Sequence, residues 1–148
     1  MTTPYTIRPA TEADAETIKR IVRSNPLDPN AVDWRYFLVL EVVEDGKAKI
    51  ASIGMVHPEG EVQELDSVAT LPEYRKRGYA EAIVRALIER IPQSIYLLSE
   101  TKLIAYYEKL GFRVMSADEA PRVMTDQAEW VNRMFGDTIT YTVMGMSK

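Results

Sequence analysis

The stretch V-A-T-L-P-E-Y-R-K-R-G-Y-A at residues 68–80 runs a strand through a basic turn directly into a helix, and it restricts the fold more than any other part of the chain. Ala80, Ile83, Val84, Leu87, Ile88 and Ile91 recur at helical spacing and form one apolar stripe, which Pro92 ends. The first turn of such a helix leaves backbone N–H groups unpaired at the positive end of the helix dipole, where a pyrophosphate can sit. Gly78 lets phosphate oxygens approach the backbone, and Arg75, Lys76 and Arg77 gather positive charge in a chain of net charge -4. A basic helix start is also common as plain solvated surface, so the residues alone leave both readings open.

The rest of the chain fits an α/β domain with a mixed sheet. Residues 5–8 read as a strand, and Thr11 with Asp14 forms a capping arrangement that opens a helix whose apolar face is Ala15, Ile18, Ile21 and Val22. Asn25, Pro26, Asp28, Pro29 and Asn30 make a loop, with a turn of helix near Trp34. Residues 36–43 and 48–56 are strands joined at Asp45-Gly46; Pro58, Glu59 and Gly60 form the next turn, and 61–70 is a third antiparallel strand. A strand at 95–98, a helix at 101–110 closed by Gly111, and a strand at 112–115 follow. A helix through Ala128, Val131, Met134 and Phe135 leads to a last strand at 138–146, where alternating Met144 and Met146 read as core. The 148 residues fit one domain, 1–148.

Composition removes several kinds of chemistry. With no cysteine there is no disulfide framework, thiolate metal site or acyl-cysteine intermediate. With one histidine, His57, zinc sites built on two histidines are excluded, and the expectation is no metal. No long basic block suits nucleic acid, no G-x-x-x-x-G-K-[ST] phosphate loop occurs, and no stretch approaches the ~20 apolar residues of a membrane span. The N-terminal M-T-T-P-Y-T-I-R-P has no apolar signal region. These features give the expectation of a soluble cytoplasmic protein with neither nucleic-acid nor membrane partners; a homodimer is compatible with them.

The segment R-K-R-G-Y-A, preceded by V-A-T-L-P-E-Y, resembles the Q/R-x-x-G-x-G/A signature of the GNAT superfamily of acetyl-CoA-dependent N-acetyltransferases. A-Y-Y-E-K-L-G-F at 105–112 is similar to a second segment of that family, and T-I-R-P-A-T-E-A-D is a common opening. The resemblance covers nearly the whole chain. It implies a mostly antiparallel central sheet of about seven strands flanked by helices, acetyl-CoA as co-substrate, and a small-molecule or peptide amine as acceptor. By the same resemblance, backbone groups of Val68, Ala69 and Thr70 pair with the pantetheine arm, and Arg75, Lys76, Arg77, Gly78, Tyr79, Ala80 and Glu81 hold the pyrophosphate. Two positions depart from the pattern: Glu100 stands where many members carry an asparagine that binds pantetheine, and Ala80 replaces the commoner second glycine.

The chemistry then needs a base, because an alkylammonium of pKa ~10 is not a nucleophile at neutral pH. Glu61, Glu64 and Asp66 are the carboxylates on the strand entering the phosphate turn, and the resemblance selects Glu64. A strand N–H near Val68 can serve the oxyanion. His57, beside Pro58 at a strand end, reads as a turn residue outside the site. Tyr107 is expected to protonate the departing thiolate: Leu103, Ile104, Leu110 and Gly111 mark the helix face turned to the sheet, with Tyr107 at its centre and Tyr106 on its flank. The expected reaction is direct acetyl transfer to a primary amine without a covalent enzyme intermediate. A noncatalytic acyl-CoA-binding regulatory module is the alternative.

Overall fold

Alternating apolar residues and turn-forming pairs set the strands close to where the sequence places them. The computed structural model describes residues 4–23, 33–136 and 139–148. Its strands are β1 (Tyr5–Pro9), β2 (Phe37–Glu44), β3 (Lys47–Glu59), β4 (Val62–Thr70), β5 (Ile95–Glu100), β6 (Arg113–Val114) and β7 (Tyr141–Met146). Its helices are α1 (Ala15–Arg23), α2 (Tyr79–Arg90), α3 (Ile104–Lys109) and α4 (Arg122–Phe135). The strand order is β1-β2-β3-β4-β5-β7-β6. β1/β2, β2/β3, β5/β7 and β6/β7 pair antiparallel, whereas β4/β5 pair parallel, which gives the expected seven-stranded, mostly antiparallel sheet. The loop read at residues 25–30 lies outside the described residues.

The chain divides into two compact units. The first comprises Met1–Val56 and Asp66–Arg90. Thr11 and Asp14 form the expected capping box, and Asp14 also binds Arg8 at 2.8 Å, with Glu41 on the same guanidinium at 3.0 Å. The ion pair holds the Asp14 carboxyl down at a pKa of about 2. Asp45 and Gly46 both have positive φ, as a tight hairpin with the right-handed strand twist requires. The core joins Ile18, Ile21 and Val22 of α1 to Phe37 and Val39 of β2 and to Ile53 and Met55 of β3. Helix α2 buries Ile83, Val84 and Leu87 as the stripe predicts, and also Tyr79, which periodicity did not single out. Gly54 of β3 lets α2 approach: a Cβ there would stand 2.6 Å from the Ile83 side chain.

The second unit comprises His57–Leu65 and Ile91–Lys148. Met124 and Ala128 of α4 pack with Val143 of β7, joined by Val62, Tyr96 and Leu98. The Asn132 side chain donates to the Tyr141 carbonyl at 3.0 Å and accepts from its N–H at 2.7 Å, tying α4 to β7. The buried face of α4 is therefore shifted from the predicted one, and Met134 is 59% exposed. The side chain of Phe135 and the predicted strand start at Thr138 lie outside the described residues. Met144 is fully buried and Met146 partly so. The helix read at 101–110 begins as a tighter 3-10 turn at Thr101–Leu103, and Gly111 ends it with φ +102.

Candidate functional site

Strand β4 delivers the residues expected to meet the cofactor, and it is not regular. Glu64 and Leu65 are both buried, which breaks the one-in, one-out alternation of a strand. Two residues on, Ser67 takes a φ of +53, and its N–H turns onto the Asp66 carboxylate at 2.7 Å. A non-glycine residue in the left-handed region costs roughly 1–2 kcal/mol, and such strained positions concentrate beside functional sites. Past Ser67, the Ala69 carbonyl accepts from Ser52 Oγ at 3.1 Å and the Thr70 carbonyl from Arg75 Nε at 3.2 Å.

After β4, a 3-10 turn at Pro72–Tyr74 leads into Arg75, Lys76, Arg77 and Gly78. Lys76 and Gly78 both take positive φ, +64 and +81, and Gly78 O accepts the first helical bond from Ala82 at 3.0 Å. The N–H groups of Gly78, Tyr79, Ala80 and Glu81 thus form the unpaired first turn of α2. A Cβ on Gly78 would meet no atom within 4 Å, so the space above this backbone is open. All three basic side chains are exposed; Arg77 bonds the Glu73 carbonyl at 3.1 Å and lies over the Tyr74 ring.

The side chains of Tyr79 and Glu81 are engaged away from this turn. The Tyr79 ring is 1% exposed and packs edge-on to Tyr5 at 5.5 Å, and Glu81 pairs with Arg85 at 3.6 Å. Tyr74 supports the turn from below: its phenol donates to Glu44, which with burial pushes its pKa up to about 12.

In the second unit, Glu64 is 4% exposed, and its Oε1 lies 3.5 Å from His57 Nε2. This overturns the placement of His57 in a turn. Strand β3 extends through Glu59 and the turn falls at Gly60 and Glu61, so His57 stands on a strand beside Glu64. The His57 Nδ1 lies 3.0 Å from the Pro58 carbonyl, which can only accept, so Nδ1 carries the proton.

Tyr107 and Tyr106 occupy α3 with ring centroids 5.1 Å apart, and Tyr107 packs edge-on to Phe112 at 6.0 Å. The expected contrast between them is absent: both are partly buried, and the Tyr106 hydroxyl is itself inaccessible. Two residues used to define the inward face, Leu103 and Gly111, are exposed. The last residue of β5, Glu100, lies 3.4 Å from Lys102 and lines a surface pocket of about 360 Å³ with Thr101, Lys102, Ile139 and Thr140. Burial and the Glu100 charge raise the pKa of Tyr141, its cross-strand neighbour.

Comparison with known proteins agrees with this architecture. No curated protein sequence matches the chain. Among solved structures, Rv2747 from Mycobacterium tuberculosis, in complex with CoA, is similar with a TM-score of 0.74 at 18% identity, over 97% of this chain and 99% of that one. The ribosomal-protein-S18-alanine N-acetyltransferase from Escherichia coli gives 0.67 at 18%, over 97% and 94%. N-acetylglutamate synthase from Neisseria gonorrhoeae, complexed with CoA and N-acetyl-glutamate, gives 0.73 at 17% over 99% of this chain, which spans 36% of that longer protein. These likenesses establish the fold. The sequence model of the Acetyltransferase (GNAT) family matches residues 6–112, which include β4, the basic turn before α2, and α3, and on that match the chain belongs to the GNAT family of acetyltransferases.

Proposed function

We propose that the protein transfers an acetyl group from acetyl-CoA directly to a primary amine. The observation that carries this reading is the turn before α2, where Lys76 and Gly78 bend the backbone into an open cradle of N–H groups flanked by three exposed cations. That cradle suits the pyrophosphate of CoA. Val68, Ala69 and Thr70 offer backbone partners to the pantetheine amides, and N–H groups near Ser67, where the backbone turns to positive φ, can bind the carbonyl oxygen as it becomes an oxyanion.

In the reaction the amine loses a proton and attacks the thioester carbon. A C–N bond forms, the C–S bond breaks, and the thiolate must be protonated. Glu64 takes the amine proton, directly or through a water, and His57 holds the Glu64 carboxylate in place. Tyr107 protonates the leaving thiolate, whose own pKa near ~8.5 makes a phenol a suitable donor. The chain has no cysteine to carry the acetyl group, in keeping with direct transfer.

Three of the structural neighbours bear on the acceptor class. They include an enzyme named for a ribosomal protein's alanine, a synthase holding N-acetyl-glutamate, and a NatC complex bound to a Gag peptide and CoA. An amino acid or peptide amine is accordingly the acceptor class we assign. Thiol release from acetyl-CoA, followed across amino acids, peptides, polyamines and aminoglycosides, tests the assignment. Release stimulated by amino-acid or peptide amines supports it, and silence across the panel refutes it.

A further inference from the structure

The pocket at the end of β5, about 360 Å³, is large enough for an amino-acid side chain, and charged residues stand in its wall. Strand register relates it to Glu64 within the second unit. Glu64 of β4 pairs with Tyr96 of β5, and residues directly opposite in a ladder share a face. Tyr96, Leu98 and Glu100 alternate along β5 and keep that face, which continues across β7 to Tyr141, the partner of Glu100. Glu64 and Glu100 therefore lie on one face of the sheet, with Glu100 roughly 13 Å along β5 from the Glu64 pairing.

Backbone bonding fixes the wall of the pocket. The Thr101 N–H donates to the Thr140 carbonyl at 3.3 Å and ties the end of β5 to the segment entering β7. Ile139 adds apolar surface, and Thr101 and Thr140 add hydroxyls. Glu100 adds negative charge from a side chain that is only 20% exposed. That charge acts on its surroundings: after burial, it is the cause that raises the pKa of Tyr141.

Lys102 is the counter-charge, and a ligand can replace it. Its ammonium stands 3.4 Å from Glu100, beyond the about 2.7–2.9 Å of a charge-assisted hydrogen bond, and its side chain is 79% exposed. An exposed lysine pair contributes little, because side-chain entropy and solvent screening offset the attraction. A cation entering the pocket meets the less exposed partner, Glu100, and leaves Lys102 to solvent. An anion meets the reverse: the carboxylate in the wall repels it, and the only attraction comes from an ammonium that water already solvates.

We propose that this pocket is the side-chain subsite of the acceptor, where Glu100 pairs with a second cationic group, so that amino-acid or peptide amines with a basic side chain are acetylated in preference to neutral or acidic ones. The proposal rests on the transferase reading with Glu64 as base, since a molecule held at Glu100 presents its amine on the Glu64 face. A guanidinium fits the site well, because its planar fork meets a carboxylate in two bonds and its methylenes can lie on Ile139.

Arginine and citrulline provide the test, because they have nearly the same shape, differ in charge, and carry no second amine to be acetylated. Steady-state rates are measured for both, free and as the first residue of a short peptide, with glutamate beside them. The expected kcat/KM is at least about tenfold higher for arginine than for citrulline, mainly through KM, and the ratio falls to within about twofold of unity in Glu100→Gln. Glu100→Asp keeps the charge and should keep arginine ahead, which guards against a folding defect in Glu100→Gln. Equal kcat/KM in the parent, a preference for citrulline or glutamate, or an arginine preference that survives Glu100→Gln overturns the subsite and leaves the transferase reading in place. Binding is read separately as a thermal shift with CoA present, where arginine should exceed citrulline at equal ionic strength in the parent but not in Glu100→Gln. If no amine stimulates thiol release, the transferase reading fails and this shift decides the pocket alone. An arginine shift lost in Glu100→Gln keeps it as a site for a basic amino acid, and no shift, or one indifferent to the substitution, removes it.

Discussion

Single residues carry the chemistry, and hydroxyl or carboxylate deletions read them directly. Tyr107→Phe should lower kcat by roughly tenfold to a thousandfold, the usual span of acid–base contributions, while acetyl-CoA binding stays near normal. Steady-state kinetics with Tyr106→Phe beside it decides the assignment, since both rings are partly buried; normal turnover in Tyr107→Phe with loss in Tyr106→Phe would transfer the role. Asp14 is a stability residue instead. Its folded pKa of about 2 lies below the ordinary carboxylate value near ~3.9, so its contribution is present above about pH 4 and is lost as pH falls through about 2. Asp14→Asn should cost about 1–3 kcal/mol at neutral pH through the lost cap and ion pair. Melting curves from pH 6 to pH 2 should show variant and parent converge at the acid end; a constant gap would mean that the pairing with Arg8 is not the source.

Legibility at this scale followed the range of the interaction. The Thr11–Asp14 box is local and could be read from spacing, whereas the His57–Glu64 pair depends on which residues form the hairpin turn. Placing that turn at Pro58, Glu59 and Gly60 put His57 at a strand end, and the two-residue turn at Gly60 and Glu61 brings it beside Glu64. Ser67 gave no signal, because its left-handed position in β4 is not held by glycine.

At the scale of elements, the strand–turn–helix from β4 to α2 was legible because its signals reinforce one another. A continuous apolar stripe, a stop at Pro92 and a basic turn with Gly78 all point to the same arrangement. Helix α4 was less legible: its ends were unmarked, and Met134 matched the apolar period yet faces outward. The phosphate turn yields a prediction of its own. Acetyl-CoA at about one hundred times its Kd should stabilise the folded chain by ~2.7 kcal/mol, and Gly78→Glu should abolish the thermal shift by placing a bulky negative group in the cradle. Gly78→Ala is the control for backbone strain, since φ is +81 but no protein atom lies near the new Cβ. A shift that survives Gly78→Glu would move the pyrophosphate elsewhere.

For the whole molecule, the positions of seven strands along the chain followed from the sequence, because hairpin turns and helix stops punctuate it, whereas the insertion of β7 between β5 and β6 carried no local signal. The identity of the acceptor did not, since part of the early loop read at residues 25–30 has no periodic pattern to constrain it. The proposed reaction makes one bond and breaks another, and following the acetyl group itself reports on both. Acetyl-CoA with an isotope-labelled acetyl group is incubated with the protein and an amine that stimulates thiol release, and small molecules and intact protein are then weighed by mass spectrometry. Direct transfer gives labelled N-acetyl amine and free CoA in equal amounts, with the protein unmodified at every time point. Label that accumulates on the protein before reaching the amine, or CoA released with no acetylated amine, would contradict it.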